Sequence, residues 1–452
     1  MLYLMVPRDT AADNEREAYI VYMGRLPDDV VSLQNDHFSM ISQVVEKSID
    51  RKFINKLVLT NGSTFTGRSI IGFNTPKEYL PIVYGKELGN GSCDEYYLKA
   101  CFRQCIQREK VAGKIVLCNN TEAVQTIGEL GPAGLVVPAD YPDYANVEPL
   151  PSAYLTTWDF EEVVRYHDHA RNPTGKIFKS TTDREDGAPF RASFSSYGPN
   201  TFFPNIMKPD ISAPGIDILA AYSLKAPPST SPDDPRRVAY NVLTGTSMAC
   251  PHVAGVAAYV KSFHPDWSPS AIKSAIMTTA QPMMPQLIYE YGYGSGQVDP
   301  VKALSPGLVY EIPKEDYLRL LCTKGINVTI VAGKNHTCRG LPKLNVKDVN
   351  YPSISLIVHN DTTHFSANVS RTVRNVGPTN STYKLSVVAD PKVNITVEPD
   401  VLYFDAAHHT RSFTVSVAVS GLQFREIVSS ELAWSDGTHS VRSPIVLFKD
   451  NE

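Results

Sequence analysis

The sequence predicts two architectures in one chain: an incomplete α/β unit and an all-β sandwich at the C-terminal end. Three observations carry this. From about Asp348 onward, seven short segments alternate apolar and polar residues between turn signals, the period-2 pattern of half-buried strands. Between residues 188 and 282, short strands punctuated by Gly and Pro lead into two helical segments, 247–263 and 268–279. The 33 prolines and 27 glycines suit a turn-rich, strand-rich chain.

Composition bounds the rest. At roughly 100–200 residues per domain, 452 residues imply two to four domains. An apolar content of 42% with 20% charged residues fits a globular chain and argues against long disorder. The formal net charge of −4 gives no electrostatic case for nucleic acid or an anionic membrane surface as partner. No apolar run approaches the roughly 18–20 residues that span a bilayer.

In chain order, residues 18–24 (AYIVYMG) read as a strand and 36–47 as a helix with Phe38, Ile41, Val44 and Val45 on one face. Residues 52–73 read as a hairpin turning at Asn61-Gly62. In 75–178 the signals of a small α/β or β-barrel unit appear: a strand at 113–118, a buried strand within Gly131-Pro-Ala-Gly-Leu-Val-Val-Pro138, and a short helix at 160–167. Further strands are predicted at 192–196 and 218–221. Ser268 as cap and Pro269 in the first turn start the second helix. The sandwich strands are predicted at 353–358, 366–373, 383–388, 394–397, 412–419, 429–434 and 440–447.

The compartment signals point outward from the cell, except at the start. The apolar stretch from Leu2 to Pro7 is too short for a signal-peptide core and lacks a basic flank, so no signal peptide is visible. Glycosylation acceptors occur at Asn61, Asn90, Asn119, Asn327, Asn335, Asn360, Asn368, Asn380 and Asn394. Of seven cysteines, Cys93, Cys101, Cys105 and Cys118 cluster, and Cys322 and Cys338 lie close in sequence. Both groups read as local disulfides; four cysteines allow three connectivities, which sequence does not choose between. A zinc reading is weaker without a C-x-x-C pair. Cys250 is left over and is expected to be a buried free thiol.

The chemistry concentrates in Gly245-Thr-Ser-Met-Ala-Cys-Pro-His-Val-Ala-Gly255. Gly245 is expected to permit a tight turn out of a strand. Ser247 then falls at the helix start, with Thr246 before it supporting the motif, where unpaired N–H groups and the positive dipole end favour developing negative charge. Pro251 is expected in the first turn, where its missing N–H costs little. Ser247 so placed can act as an acyl-transfer nucleophile, with its own backbone N–H as an oxyanion donor. An isolated G-T-S before a helix is ordinarily only a capping serine.

The whole string is more specific. It resembles the serine motif of the subtilisin-like proteases, and its surroundings resemble the plant subtilases of the cucumisin type. Four further segments are similar to that family's: Phe194-Ser-Ser-Tyr-Gly-Pro-Asn200, Lys208-Pro-Asp-Ile-Ser-Ala-Pro-Gly215, the stretch 265–280 (PDWSPSAIKSAIMTTA) and Gly294-Ser-Gly-Gln-Val-Asp-Pro300. Asn350-Tyr-Pro-Ser353, Arg371-Thr-Val-Arg-Asn-Val-Gly377 and Trp434-Ser-Asp-Gly-Thr-His439 resemble its C-terminal fibronectin type III-like domain. The resemblance implies a truncated inhibitor propeptide at 18–47, a partial catalytic domain at 48–74 and 179–310, a protease-associated insert at 75–178, and the fibronectin-like domain at 345–449. It also implies peptide or protein substrates, secretion to the apoplast, no catalytic cofactor or metal, and self-association or substrate access through the insert.

The pattern breaks at the triad. The serine needs a base and a carboxylate to orient it. No D-[ST]-G or H-G-T-H motif is present; the one G-T-H, ending at His439, falls in the sandwich motif. The A-G-N context of the oxyanion asparagine is also absent. One internal block of the family's catalytic domain is therefore expected to be missing. Among the histidines, His252 is expected to pack within the domain, His264 to cap the helix end, and His167 and His169 to be solvated surface. The expectation is an S8-type serine endopeptidase by family, catalytically defective as written and poorly soluble, because a parallel sheet without its early strands leaves edges and helix faces uncovered. The alternative is a non-catalytic binding or decoy module built from the insert and the sandwich.

Overall fold

The structure is a computed structural model and describes residues 2–3, 20–21 and 51–450, apart from 74, 90, 140, 142, 232, 284–288 and 330–336. The helix expected at 36–47 lies outside the described residues, as does most of the strand at 18–24, of which Ile20–Val21 is a strand paired with Leu2–Tyr3.

Residues 51–184 build one eight-stranded mixed sheet. Its order is Ser152–Leu155, Gly134–Pro138, Ile115–Leu117, Leu80–Tyr84, Thr174–Ile177, Arg51–Leu59, Thr181–Arg184, with Thr64–Gly67 pairing onto Arg51–Leu59. The first four strands are parallel. Both faces of their central pair are covered, which is why they read as unbroken apolar runs. Side chains alternate between two cores: Ile115, Leu117 and Val136 enter one with Phe160 and Val163. Val116, Leu135 and Val137 enter the other with Val124 and Ile127. The predicted hairpin therefore belongs to this sheet and not to a separate unit, with Gly62 at φ +89° supplying the turn. The disulfides Cys93–Cys105 and Cys101–Cys118 staple the second core, and Cys322–Cys338 closes a later loop.

Residues 185–310 pair sparingly. The described strands there are one antiparallel ribbon, Ile218–Ala221 with Tyr240–Leu243, and Leu308–Tyr310, which joins the sandwich. No strand forms at the expected 192–196; that stretch is irregular. The organising element is the 18-residue helix Thr246–Phe263. It buries Val256 and Val260 against Trp267, Ala271 and Ala275 of the segment leading into and forming the next helix, Pro269–Thr278. Ser268 caps that helix by accepting the Ala271 N–H at 3.1 Å. His264 ends the first helix, stacked on Trp267 at 3.9 Å.

The sandwich has a five-stranded sheet, Ile354–His359, Ser440–Asp450, Ile427–Ser435, Ser381–Val388 and Val401–Phe404, and a four-stranded one, Leu308–Tyr310, His364–Asn375, Thr410–Ser420 and Val393–Glu398. Strict alternation along Ile427–Ser435 carries Trp434 into the core. The two halves of the chain are sewn together: Tyr291 and Ser355 hydroxyls meet at 2.9 Å, and Arg442 donates to Ser295 O at 2.6 Å.

Candidate active site

Ser247 is the second residue of the helix Thr246–Phe263, and it is exposed. Its backbone N–H lies in the first turn, where no helical acceptor exists. Two sequence expectations about this turn need correction. Gly245 sits at φ 160° and ψ 162°, an extended conformation open to any residue, and a Cβ there would meet nothing closer than 3.6 Å. Pro251 is not in the first turn: the helix starts one residue early, and Pro251 is its sixth residue. The cost is specific, because an N–H at position 251 would have bonded the carbonyl of Ser247. That carbonyl is left without its helical donor.

None of the described side chains hydrogen-bonds the Ser247 hydroxyl. His252 lies about 140° around the helix from Ser247, and its Nδ1 is 2.8 Å from the Met248 carbonyl, which fixes the proton there. The His–carboxylate pairs lie elsewhere. His439 meets Asp436 and His408 meets Asp405 in the sandwich, and His167 lies between Asp168 and Glu87 in the eight-stranded unit. His167 is also not solvated as expected: it is buried edge-on to Tyr84, because it lies on the helix face that turns toward the sheet. His169 is exposed. Cys250, expected buried, is exposed, since the helix face carrying Ser247, Cys250, Pro251, Ala254 and Ala258 is open.

The approach to the serine is held by Asp217. This fully buried residue sits at φ +54°; its carboxylate accepts the Phe53 N–H at 3.1 Å, pairs with Arg68 at 3.4 Å and receives the Thr244 hydroxyl at 3.3 Å. Burial pushes its carboxyl up, against the pull of Arg68. It ties the eight-stranded unit to Thr244, three residues before Ser247. Beside the helix N-terminus opens a cavity of about 310 Å³, lined among others by Arg51, Arg68, Arg191, Thr246, Cys250 and Gln297. Sequence reading missed this cluster, because its members lie up to some 240 residues apart and share no local pattern. Acceptor asparagines Asn61, Asn119, Asn327, Asn360, Asn368, Asn380 and Asn394 are exposed; Asn90 and Asn335 lie outside the described residues.

With this geometry in hand, residues 118–294 match the model of the Subtilase family, and residues 348–447 match that of the Fibronectin type-III domain. The serine helix therefore sits inside a subtilase segment. That matched segment is subtilase-like. The chain is 45% identical over 416 residues to subtilisin-like protease SBT4.3 of Arabidopsis thaliana, covering 90% of this chain and 56% of that protein. Subtilisin-like protease SBT4.13 of the same plant is 43% identical, with 90% and 57% covered. The chain thus spans about half the length of the curated relatives it matches. Among solved structures, the psychrophilic subtilisin-like protease Apa1 of Pseudoalteromonas sp. AS-11 aligns at 15% identity and a TM-score of 0.18, over 57% of this chain and 50% of that one, an overlap too weak to add to the assignment. Among the described residues no helix is long and apolar enough to cross a membrane.

Proposed function

We propose that this chain carries the nucleophile-bearing part of a secreted, glycosylated subtilisin-like serine endopeptidase that acts on peptides or proteins. In this reading Ser247 is the acyl-accepting hydroxyl and its own N–H is one oxyanion donor. Residues 75–178 serve as a protease-associated insert, 18–47 as the remnant of an inhibitor propeptide. The observation that carries the reading is an exposed serine in the first turn of a long helix, within the matching family segment. The same observation supports a catalytic defect in the chain as written. A base must reach the hydroxyl within about 2.6–3.2 Å, directly or through one water, and no described imidazole is bonded to it. In subtilisin, the established reference case, loss of the histidine alone costs on the order of 10⁶ in turnover.

The test is a fluorophosphonate probe and a casein assay on the purified chain. Neither stoichiometric labelling at Ser247 nor casein cleavage is expected; both together would refute the defect. The alternative of a non-catalytic binding module is favoured by one observation: the eight-stranded unit and the sandwich each enclose complete cores, whereas the serine helix leaves a face open. A monodisperse, soluble, unreactive chain supports that alternative; aggregation on expression opposes it.

A further inference from the structure

Ser305, His439 and Asp436 meet in one hydrogen-bonded row, away from the site around Ser247. Asp436 and His439 belong to the turn between the strands Ile427–Ser435 and Ser440–Asp450. Gly437 at φ +90° allows that turn, and Asp436 Oδ1 locks it by accepting the N–H groups of Thr438 at 2.9 Å and His439 at 2.6 Å. Asp436 Oδ2 lies 2.8 Å from His439 Nδ1. Both side chains are packed, each 11% exposed. Burial would raise the Asp436 carboxyl, but the N–H groups of His439 and Thr438 and the imidazole hold it down at about 2. A carboxylate can only accept, so the imidazole proton sits on Nδ1 and Nε2 is left as an acceptor. That Nε2 is 3.1 Å from the Ser305 hydroxyl.

Ser305 comes from 134 residues upstream. It ends the short helical turn Lys302–Leu304, and Pro306-Gly307 separate it from the strand Leu308–Tyr310. Gly307 permits the close approach: at φ +80°, a Cβ there would come within 2.7 Å of His439 Cβ and 2.5 Å of the Tyr383 hydroxyl. Ser305 itself is exposed. Hydroxyl, base and orienting carboxylate thus stand in catalytic order, with the base inside the roughly 2.6–3.2 Å reach of proton abstraction.

We propose that Ser305 is a second nucleophilic serine, activated by His439 and oriented through Asp436, which takes acyl groups from small activated esters. The exposure of Ser305 sets the substrate class. A peptide bond has a poor leaving group and needs an enclosing oxyanion hole, whereas an aryl ester brings a good leaving group with it. Ser305 Oγ bonds to the ester carbonyl carbon, His439 Nε2 takes the hydroxyl proton, and the bond to the aryl oxygen breaks, releasing the phenol with that proton. Water then adds to the acyl-serine with His439 again as base, freeing the acid and restoring Ser305. Nothing is required of Ser247, so this reading stands or falls apart from the protease reading.

The experiment treats the full chain with a fluorophosphonate, whose P–F bond is exchanged for a bond to the serine oxygen, and maps the adduct by mass spectrometry of tryptic peptides. Hydrolysis of p-nitrophenyl acetate is followed in parallel. Ser305 falls in the peptide 303–314 and Ser247 in 238–261, so the two serines are read separately. An adduct on 303–314 is expected, and Ser305→Ala is expected to remove it and to slow ester hydrolysis about tenfold or more. Asp436→Asn and, separately, His439→Gln are expected to slow the labelling about a hundredfold, as loss of a general base or of its orientation does. Thermal melting checks that these variants stay folded. No adduct on 303–314, or ester hydrolysis unchanged by Ser305→Ala, would overturn the proposal. So would unchanged labelling in a folded His439→Gln or Asp436→Asn chain, the result expected if the row only ties two parts of the chain together. An adduct confined to 238–261 would overturn it as well and bear instead on Ser247.

Discussion

Glu148→Gln tests the junction between the eight-stranded unit and the loop before the serine ribbon. Glu148 is 2% exposed. Its Oε1 accepts the Tyr154 hydroxyl at 2.7 Å, and its Oε2 has no partner among the described residues. Arg236 anchors the loop by donating to the Glu148 backbone carbonyl at 2.8 Å and pairing with Asp234 at 2.7 Å. Burial pushes the Glu148 carboxyl up to about 7, with Asp234 adding to the rise and Tyr154 and Arg236 opposing it. Between its ordinary value of 4.5 and about 7, the folded chain holds a proton that the unfolded chain has lost. The protonated form's advantage is thus fully present below pH 4.5 and is lost as pH rises through 7. At about 1.4 kcal/mol per pH unit, this is worth about 3 kcal/mol. The amide of the variant does not titrate, so Glu148→Gln is expected to match the parent near pH 4.5 and exceed it above pH 7.5 by about 3 kcal/mol. For a unit of this size that is roughly 6–12 °C in melting temperature. Scanning calorimetry of both chains from pH 4.5 to 8 reads it, and melting curves that track each other across the range would refute the argument.

Two further substitutions address the framework. Arg371 is 3% exposed and donates to the carbonyls of Tyr351, Ser353, Lys347 and Ser370, so Arg371→Met strands buried acceptors and is expected to destabilise the sandwich by about 3–5 kcal/mol. Urea unfolding followed by Trp434 fluorescence checks it. Gly296 holds φ +123°, and a Cβ there would come within 2.2 Å of the Gln281 carbonyl. Gly296→Ala is expected to cost about 2 kcal/mol or more, read as a lower melting temperature.

Much of this fold was legible because periodicity is a local property. All seven expected sandwich strands form, each within a few residues of its predicted limits. The two strands that were missed have local reasons. Val401–Phe404 is four residues following Pro399-Asp400, and Leu308–Tyr310 is three residues whose partner, His364–Asn375, lies far along the chain. The stretch at 192–196 has strand-like composition but no neighbour to pair with. At the site, helix and serine were readable, while exposure was not. Cys250 is of a type that suggests burial, and only the tertiary arrangement leaves its face open. The arginine cavity was invisible for the same reason: Arg51, Arg68, Arg191 and Gln297 become neighbours only once Asp217 clamps the sheet to Thr244.

The pairing of Leu308–Tyr310 onto His364–Asn375 bears on how this molecule can be taken apart. A graft of the C-terminal module cut at the nominal family border would leave behind its own rim strand and bare a ladder of amide groups to solvent. It would also sever the Tyr310 hydroxyl from Ser443, a link 2.9 Å long. A transplantable version has to start upstream of Leu308, carrying part of the neighbouring unit with it.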